Sequence, residues 1–323
     1  MRACCIVAAM LSLLVLPPVA VAGQPKPPPP IPENVVLERD VVYGRARDRE
    51  LKLDIVRPGA ASEKPRPAIV FIHGGGWRAG DKAHGVGGLT RFAATGDYFC
   101  ASVGYRLSNE AVWPAQIHDC KASIRFLKAN AKKFNIDPEK IGVWGISAGG
   151  HLVNLLGTTG DVKELEGDCG SPGQSSRVAC VVDFCGPTDF PAIAQVKSGE
   201  APSAVSQLLG GPIGEKKEAA KAASPLTYVT KDDAKFLIVH GTKDPIVPLA
   251  QAETFYDALK KAGVEAIFVK IEGGGHGVGG PEVQNRVLNF FEKHLRGQDV
   301  EVSAEPIVPP PEKPKTDAEK PKP

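Results

Sequence analysis

Net charge of either sign is nearly absent from this chain: 39 Lys and Arg stand against 37 Asp and Glu, a formal balance of +2 over 323 residues. No basic stripe gathers on any segment, which argues against nucleic acid as a main partner. The apolar run from Ile6 to Leu16 falls short of the roughly 20 residues that a spanning helix needs. No His-x-x-His or Cys/His cluster has the spacing of a zinc site. No G-x-x-x-x-G-K-S/T phosphate loop occurs, nor a dinucleotide fingerprint after the first strand. No metal and no cofactor are therefore expected. Internal repeats are missing and aromatic residues make up only 6%, whereas a hydrophobic fraction of 42% suits a globular protein.

What is present divides the chain. Arg2, the apolar run Ile6 to Leu16, and Ala20-Val21-Ala22 before Gly23 have the charge, core and small-residue exit of a signal peptide. The expectation is a signal peptide over 1–22, a secreted or periplasmic protein, and no stable membrane span once processed. Residues 23–33 form a Pro-rich linker of extended character. Residues 34–297 suit one large α/β domain, and 298–323, rich in Pro, Lys and Glu, read as a disordered tail. Past the signal peptide stand Cys100, Cys120, Cys169, Cys180 and Cys185. Cys169 and Cys180 bracket a Gly/Ser-rich loop and are the candidates for a disulfide; the alternative is five small buried thiols.

Apolar runs rich in β-branched residues recur at 35–37, 51–56, 68–72, 99–103, 141–144, 178–184, 236–239 and 266–269. The second alternates apolar and polar, as an antiparallel strand does, and most of the later ones are nearly continuous, as in parallel strands covered on both faces. Helical spacing appears over 115–133, 148–156, 249–262 and 281–295. Strand and helix in alternation predict a mostly parallel sheet with helices on both faces. Residues 186–233 interrupt that rhythm, and so long an interruption predicts a small lid or substrate loop.

Gly145-Ile146-Ser147-Ala148-Gly149 lies between a predicted strand and a predicted helix. A serine hydroxyl is a weak nucleophile until a base takes its proton, and a tight strand-to-helix turn holds such an oxygen at the tip of the bend. His276, in a glycine-rich loop after a strand, is the candidate base. Asp244, in the loop after the preceding strand, is the candidate acid, with Asp189 as its rival. All three principal residues fall where strands end, the place where open α/β sheets bind ligands. Acyl transfer also needs donors aimed at the developing oxyanion. Gly75 and Gly76, in His73-Gly74-Gly75-Gly76-Trp77, and the N–H of Ala148 are assigned that part. His73 braces the loop, and Trp77 is expected in the substrate pocket, with loop packing as the alternative. His118 and His151 on helices, His240 at a strand end, and His84 and His294 at the surface take structural readings.

Together with Gly80-Asp81-Lys82, Tyr105-Arg106-Leu107, Trp113-Pro114-Ala115-Gln116 and Gly186-Pro187-Thr188-Asp189, these motifs resemble the α/β-hydrolase family. Within it they resemble the hormone-sensitive-lipase-like and bacterial feruloyl-esterase-like branches, over nearly all of 34–297. The resemblance implies an α/β-hydrolase fold with Ser147 as nucleophile, Asp244 as acid and His276 as base. It implies cleavage of carboxylic esters, with acetyl or feruloyl esters on carbohydrate as the substrate class leaned toward. The alternatives are an amidase or peptidase of arylformamidase or prolyl-oligopeptidase-like type, and a non-catalytic binding module on a hydrolase scaffold.

Overall fold

The computed structural model describes residues 30–160, 162–196 and 203–308. The expected signal peptide, most of the Pro-rich linker and residues 309–323 lie outside them. In chain order the elements are β1 (Val35–Ala46), β2 (Arg49–Pro58), β3 (Arg66–Ile72), α1 (Ala83–Ala94), β4 (Phe99–Val103), α2 (Ala115–Ala129), α3 (Ala131–Phe134), β5 (Ile136–Ile146) and α4 (Ala148–Thr158). They continue with β6 (Cys180–Phe184), α5 (Phe190–Val196), α6 (Ala204–Leu209), α7 (Lys217–Ala222), β7 (Lys235–Gly241), α8 (Leu249–Ala262), β8 (Ala266–Ile271) and α9 (Pro281–Arg296). No helix among the described residues is long and apolar enough to cross a membrane.

The eight strands form one sheet in the order β1-β2-β4-β3-β5-β6-β7-β8. β2 runs antiparallel to both its neighbours, and every later pairing is parallel. The continuous apolar runs of β3 to β7 follow from burial on two faces. One face packs under α2, α4 and α8 through Ile117, Leu152 and Phe255. The other packs under α1 and α9 through Leu89, Phe92, Phe290 and Phe291. This is the mostly parallel, helix-flanked architecture that the alternation predicts.

Periodicity does not reveal α1, because Gly85, Gly87 and Gly88 lower its helix propensity. Gly85 is where the helix touches the sheet: a Cβ there would stand 2.4 Å from both the Phe71 ring and Ser102 Oγ. The helix expected over 115–133 breaks at Asn130, whose side-chain amide donates to the Phe126 carbonyl. The interrupting segment 186–233 holds α5, α6 and α7 rather than a bare loop.

Three expectations are corrected here. Cys169 and Cys180 are free thiols, and the reason is topological: Cys169 packs in the core layer on the α2 side of the sheet and Cys180 in the layer on the α9 side. The tail does not begin at 298. Arg286 Nη1 donates to the carbonyls of Ser303 (2.8 Å) and Glu305, the Ile307 N–H to the Lys270 carbonyl (2.8 Å), and the Glu272 N–H to the Ile307 carbonyl (2.9 Å). Residues 298–308 thus belong to the folded part, with Ile307 bridging Ile271 in parallel register. His294 is not a surface residue; its side chain is 3% exposed and its ring lies against Phe290.

Candidate active site

Ser147 sits between β5 and α4 with φ 56° and ψ −119°, a conformation that costs a non-glycine residue energy and persists only where the surroundings impose it. They do so here. The Ser147 N–H donates to the Phe184 carbonyl of β6 at 2.7 Å. A Cβ on Gly149 would lie 2.1 Å from the Ile72 carbonyl oxygen, so only glycine lets α4 seat this close to β3.

The strand-end loops carry the other residues to it. His276 Nε2 lies 2.9 Å from Ser147 Oγ, and His276 Nδ1 lies 2.8 Å from Asp244 Oδ2. Asp244 Oδ1 accepts the N–H groups of Ile246 (2.8 Å) and Val247 (3.0 Å). Burial works to raise the Asp244 pKa. The hydrogen bonds from His276, Val247 and Ile246 outweigh it and hold the carboxyl below its ordinary value. With Asp244 ionised, the imidazole proton stays on Nδ1 and Nε2 is left to accept a proton from Oγ. The rival Asp189 is elsewhere: at the start of α5 its Oδ1 accepts the Ala192 N–H.

The glycine loop after β3 faces the same point. Gly75 has φ 109°, and a Cβ there would fall 2.2 Å from the Ala79 carbonyl oxygen. Its carbonyl turns inward to accept the N–H groups of Arg78 (3.2 Å) and Ala79 (3.1 Å). The N–H groups of Gly75, Gly76 and Ala148 have no acceptor among the described residues, and Ala148 opens α4, where first-turn donors are unsatisfied by geometry. His73 braces this loop from within. Its Nδ1–H donates to the Gly74 carbonyl (2.8 Å), its ring stacks on Tyr105 at 4.3 Å, and the Tyr105 hydroxyl donates to the His73 carbonyl (3.0 Å). Burial lowers the His73 pKa and keeps the ring neutral.

A cleft of about 800 Å³ opens over Ser147 and His276, walled by Trp144, Ile146, Phe184, Ala204, Ile246 and Val278. Trp77 does not line it, contrary to expectation. It is 3% exposed, with its ring edge-on to His151 and Phe190. Its Nε1–H donates to His151 Nδ1 (3.2 Å), and His151 Nε2–H donates to the Ala223 carbonyl beyond α7 (2.6 Å). The loop packing that was the alternative is what the fold uses, because the indole N–H finds its partner inside the protein. His151 thereby ties the glycine loop, α4 and segment 186–233 together, and burial pushes its pKa down to about 4.

Two neighbours of the site carry no sequence signal strong enough to find. His240, fully buried, places Nε2 2.9 Å from the Val247 carbonyl and 3.3 Å from Asp244 Oδ2; its four-residue spacing from Asp244 at a strand end is the available hint. Cys185 donates its S–H to the His276 carbonyl at 3.2 Å. Cys185, Asp244 and His276 bring possible metal ligand atoms within 4.8 Å of one another. Those of Asp244 and His276 already bond each other, and burial raises the Cys185 thiol so that it stays protonated.

Three comparisons bear on this arrangement. The sequence profile of the BD-FAE family matches residues 53–259. Esterase LipC of Mycobacterium tuberculosis is 32% identical over 245 residues, covering 75% of this chain and 60% of its own. The chain spans between 51% and 60% of the length of LipC, LipQ and LipM. Among solved structures, a truncated carbohydrate esterase from gut microbiota superposes with a TM-score of 0.73 at 32% identity, over 81% of this chain and 96% of that one. Thermogutta terrifontis esterase 2 phosphorylated by paraoxon gives 0.68 at 26% identity, over 86% and 100%. The fold is that of these esterases, the α/β-hydrolase fold.

Proposed function

We propose, from the premise that the chain belongs to the BD-FAE family, that it hydrolyses carboxylic esters through an acyl-enzyme on Ser147. The observation that carries this reading is the Ser147–His276–Asp244 hydrogen-bond chain at the floor of an apolar cleft. His276 Nε2 takes the Oγ proton as Oγ attacks the ester carbonyl carbon. The resulting oxyanion is received by the N–H groups of Gly75, Gly76 and Ala148. Collapse breaks the bond to the alcohol oxygen, which leaves with the proton from His276. Water then attacks the acyl-Ser147 ester with His276 again as base, and the acid departs. Asp244 holds the ring in the productive tautomer throughout.

The substrate class proposed is an acetyl or feruloyl ester on carbohydrate. Supporting it are the carbohydrate-esterase neighbour and a cleft whose Trp144 and Phe184 walls suit a flat aromatic acyl group. The segment around α6 contributes Ala204 to that cleft and is assigned to substrate selection. Arg2, the run Ile6 to Leu16 and Ala20-Val21-Ala22 support export to a secreted or periplasmic location.

A fluorophosphonate should label Ser147, and Ser147→Ala should lower turnover of 4-nitrophenyl acetate by about 10⁴-fold or more. A label on another residue, or activity surviving the substitution, refutes the assignment. A panel of 4-nitrophenyl acetate to octanoate, methyl ferulate, acetylated xylan and a peptide anilide decides the substrate class; turnover of the anilide alone would favour an amidase.

A further inference from the structure

The cleft walls are largely apolar, but one side chain among them is a cation with no counter-ion among the described residues. Arg78 lines the cleft beside the glycine loop. Its side chain is exposed and makes no ion pair or hydrogen bond among the described residues. A Cβ on Gly76 would stand 3.9 Å from Arg78 Nε, so the side chain lies along the glycine loop at the cleft wall. No Asp or Glu lines the cleft among the described residues, and the ionisable side chains on the wall besides Arg78 are His73, His84 and His276. Two carboxylates of the surrounding loops have other partners. Asp81 accepts the Ala83 N–H at 2.8 Å, and Asp244 stands behind the His276 ring.

The guanidinium is not needed to hold this loop. The Arg78 backbone N–H already closes the turn onto the Gly75 carbonyl, and the neighbouring Trp77 indole anchors the loop to His151. A planar, permanently charged fork against a largely apolar wall is instead the arrangement that recognises a carboxylate by two parallel hydrogen bonds.

We propose that Arg78 is a specificity-determining residue that selects esters bearing a carboxylate, on either the acyl or the alcohol portion. The inference rests on the esterase reading above and names its substrate more closely. Because the contact is made away from the reacting carbonyl, it acts equally on bound substrate and transition state. It should therefore appear in KM rather than kcat.

The test compares matched esters in one protein. For the acyl side they are the mono(4-nitrophenyl) ester of adipic acid and its methyl-capped neutral partner; for the alcohol side, 4-carboxyphenyl acetate and 4-carbamoylphenyl acetate. The ratio of kcat/KM for the charged over the neutral ester is the readout, and it does not depend on how much of a variant is folded. In the wild-type protein one of the two ratios should fall as salt is raised, since screening shortens from about 30 Å at 0.01 M to about 3 Å at 1 M. Arg78→Gln should lower the same ratio by about 10-fold through KM, Arg78→Lys should keep part of it, and Arg78→Glu should lower it further. Ratios that Arg78→Gln leaves unchanged on both sides overturn the proposal. Failure of the esterase reading looks different: no turnover of the neutral esters, or turnover that survives Ser147→Ala.

Discussion

Replacing His151 by Gln should flatten the acid limb of this protein's stability curve. The imidazole is fully buried, accepts the Trp77 indole N–H at Nδ1 and donates from Nε2 to the Ala223 carbonyl. A second proton would have to sit on Nδ1, facing the indole N–H. Desolvation by burial accordingly depresses the pKa from an ordinary 6.5 to about 4, against the smaller opposing effect of the Ala223 carbonyl. The sign follows from counting protons. Above pH 6.5 the ring is neutral in both states. As pH falls below 6.5 the unfolded chain takes up a proton that the folded chain refuses, so unfolding becomes easier by up to about 1.4 kcal/mol per pH unit until about pH 4. Over that window the loss approaches about 3 kcal/mol. Gln cannot titrate, yet it forfeits part of the hydrogen bonding, so His151→Gln should be less stable at neutral pH by about 1–3 kcal/mol. The gap between the two proteins should then narrow by about 2–3 kcal/mol between pH 6.5 and 4.5. Urea unfolding monitored at intervals across this range measures it. Carboxylates, His294 and Asp183 titrate in both proteins and cancel in the difference. A gap constant to within about 0.5 kcal/mol, near the precision of extrapolation, would refute a neutral buried His151.

Asp183, behind the nucleophile turn, titrates in the opposite sense. Burial raises its pKa from 3.8 to about 7 against the hydrogen bonds from Asn154 and the Gly186 N–H. Its contribution is fully present below about pH 3.8 and is lost as pH rises through about 7. Asp183→Asn should therefore gain on the wild-type protein by on the order of 4 kcal/mol between pH 4 and pH 8. The new amide has an acceptor in Asn154 Oδ1, which is buried without a partner. An equal difference at both pH values in thermal or urea unfolding would contradict the assignment. Ending the chain at Gly297 rather than Val308 removes both carbonyl partners of Arg286 and should cost about 2–4 kcal/mol; a loss of unfolding free energy below about 0.5 kcal/mol in urea would show the segment to be dispensable.

The strands and the convergence of Ser147, Asp244 and His276 were legible because each rests on local pattern. Apolar runs of the right length mark β3 to β8, and strand ends in a parallel sheet open toward one side, so three residues placed just after strands must meet there. What escaped depends on contacts between distant segments. α1 is hidden because its glycines serve the approach to Phe71, a partner invisible from 83–94 alone. Trp77 reads as a pocket residue only until His151 and Phe190 are folded around it. The Cys169–Cys180 pairing looks natural along the chain and is prevented by the sheet that passes between the two layers. The Pro, Lys and Glu of 298–323 as a whole made 298–308 read as part of a tail, yet this stretch needs only carbonyls for Arg286 and one Ile against β8, which composition does not register.

That last stretch has a consequence for self-association. β8 is the terminal strand of the sheet, and a terminal strand presents unpaired N–H and C=O groups on which another chain can template itself. Ile307 occupies the Lys270 carbonyl and the Glu272 N–H, so the protein caps its own exposed border with eleven residues that carry no catalytic group. Losing them would leave a longer bare strand end facing solvent, and the first symptom should be concentration-dependent oligomers growing from β8 rather than any fault at Ser147.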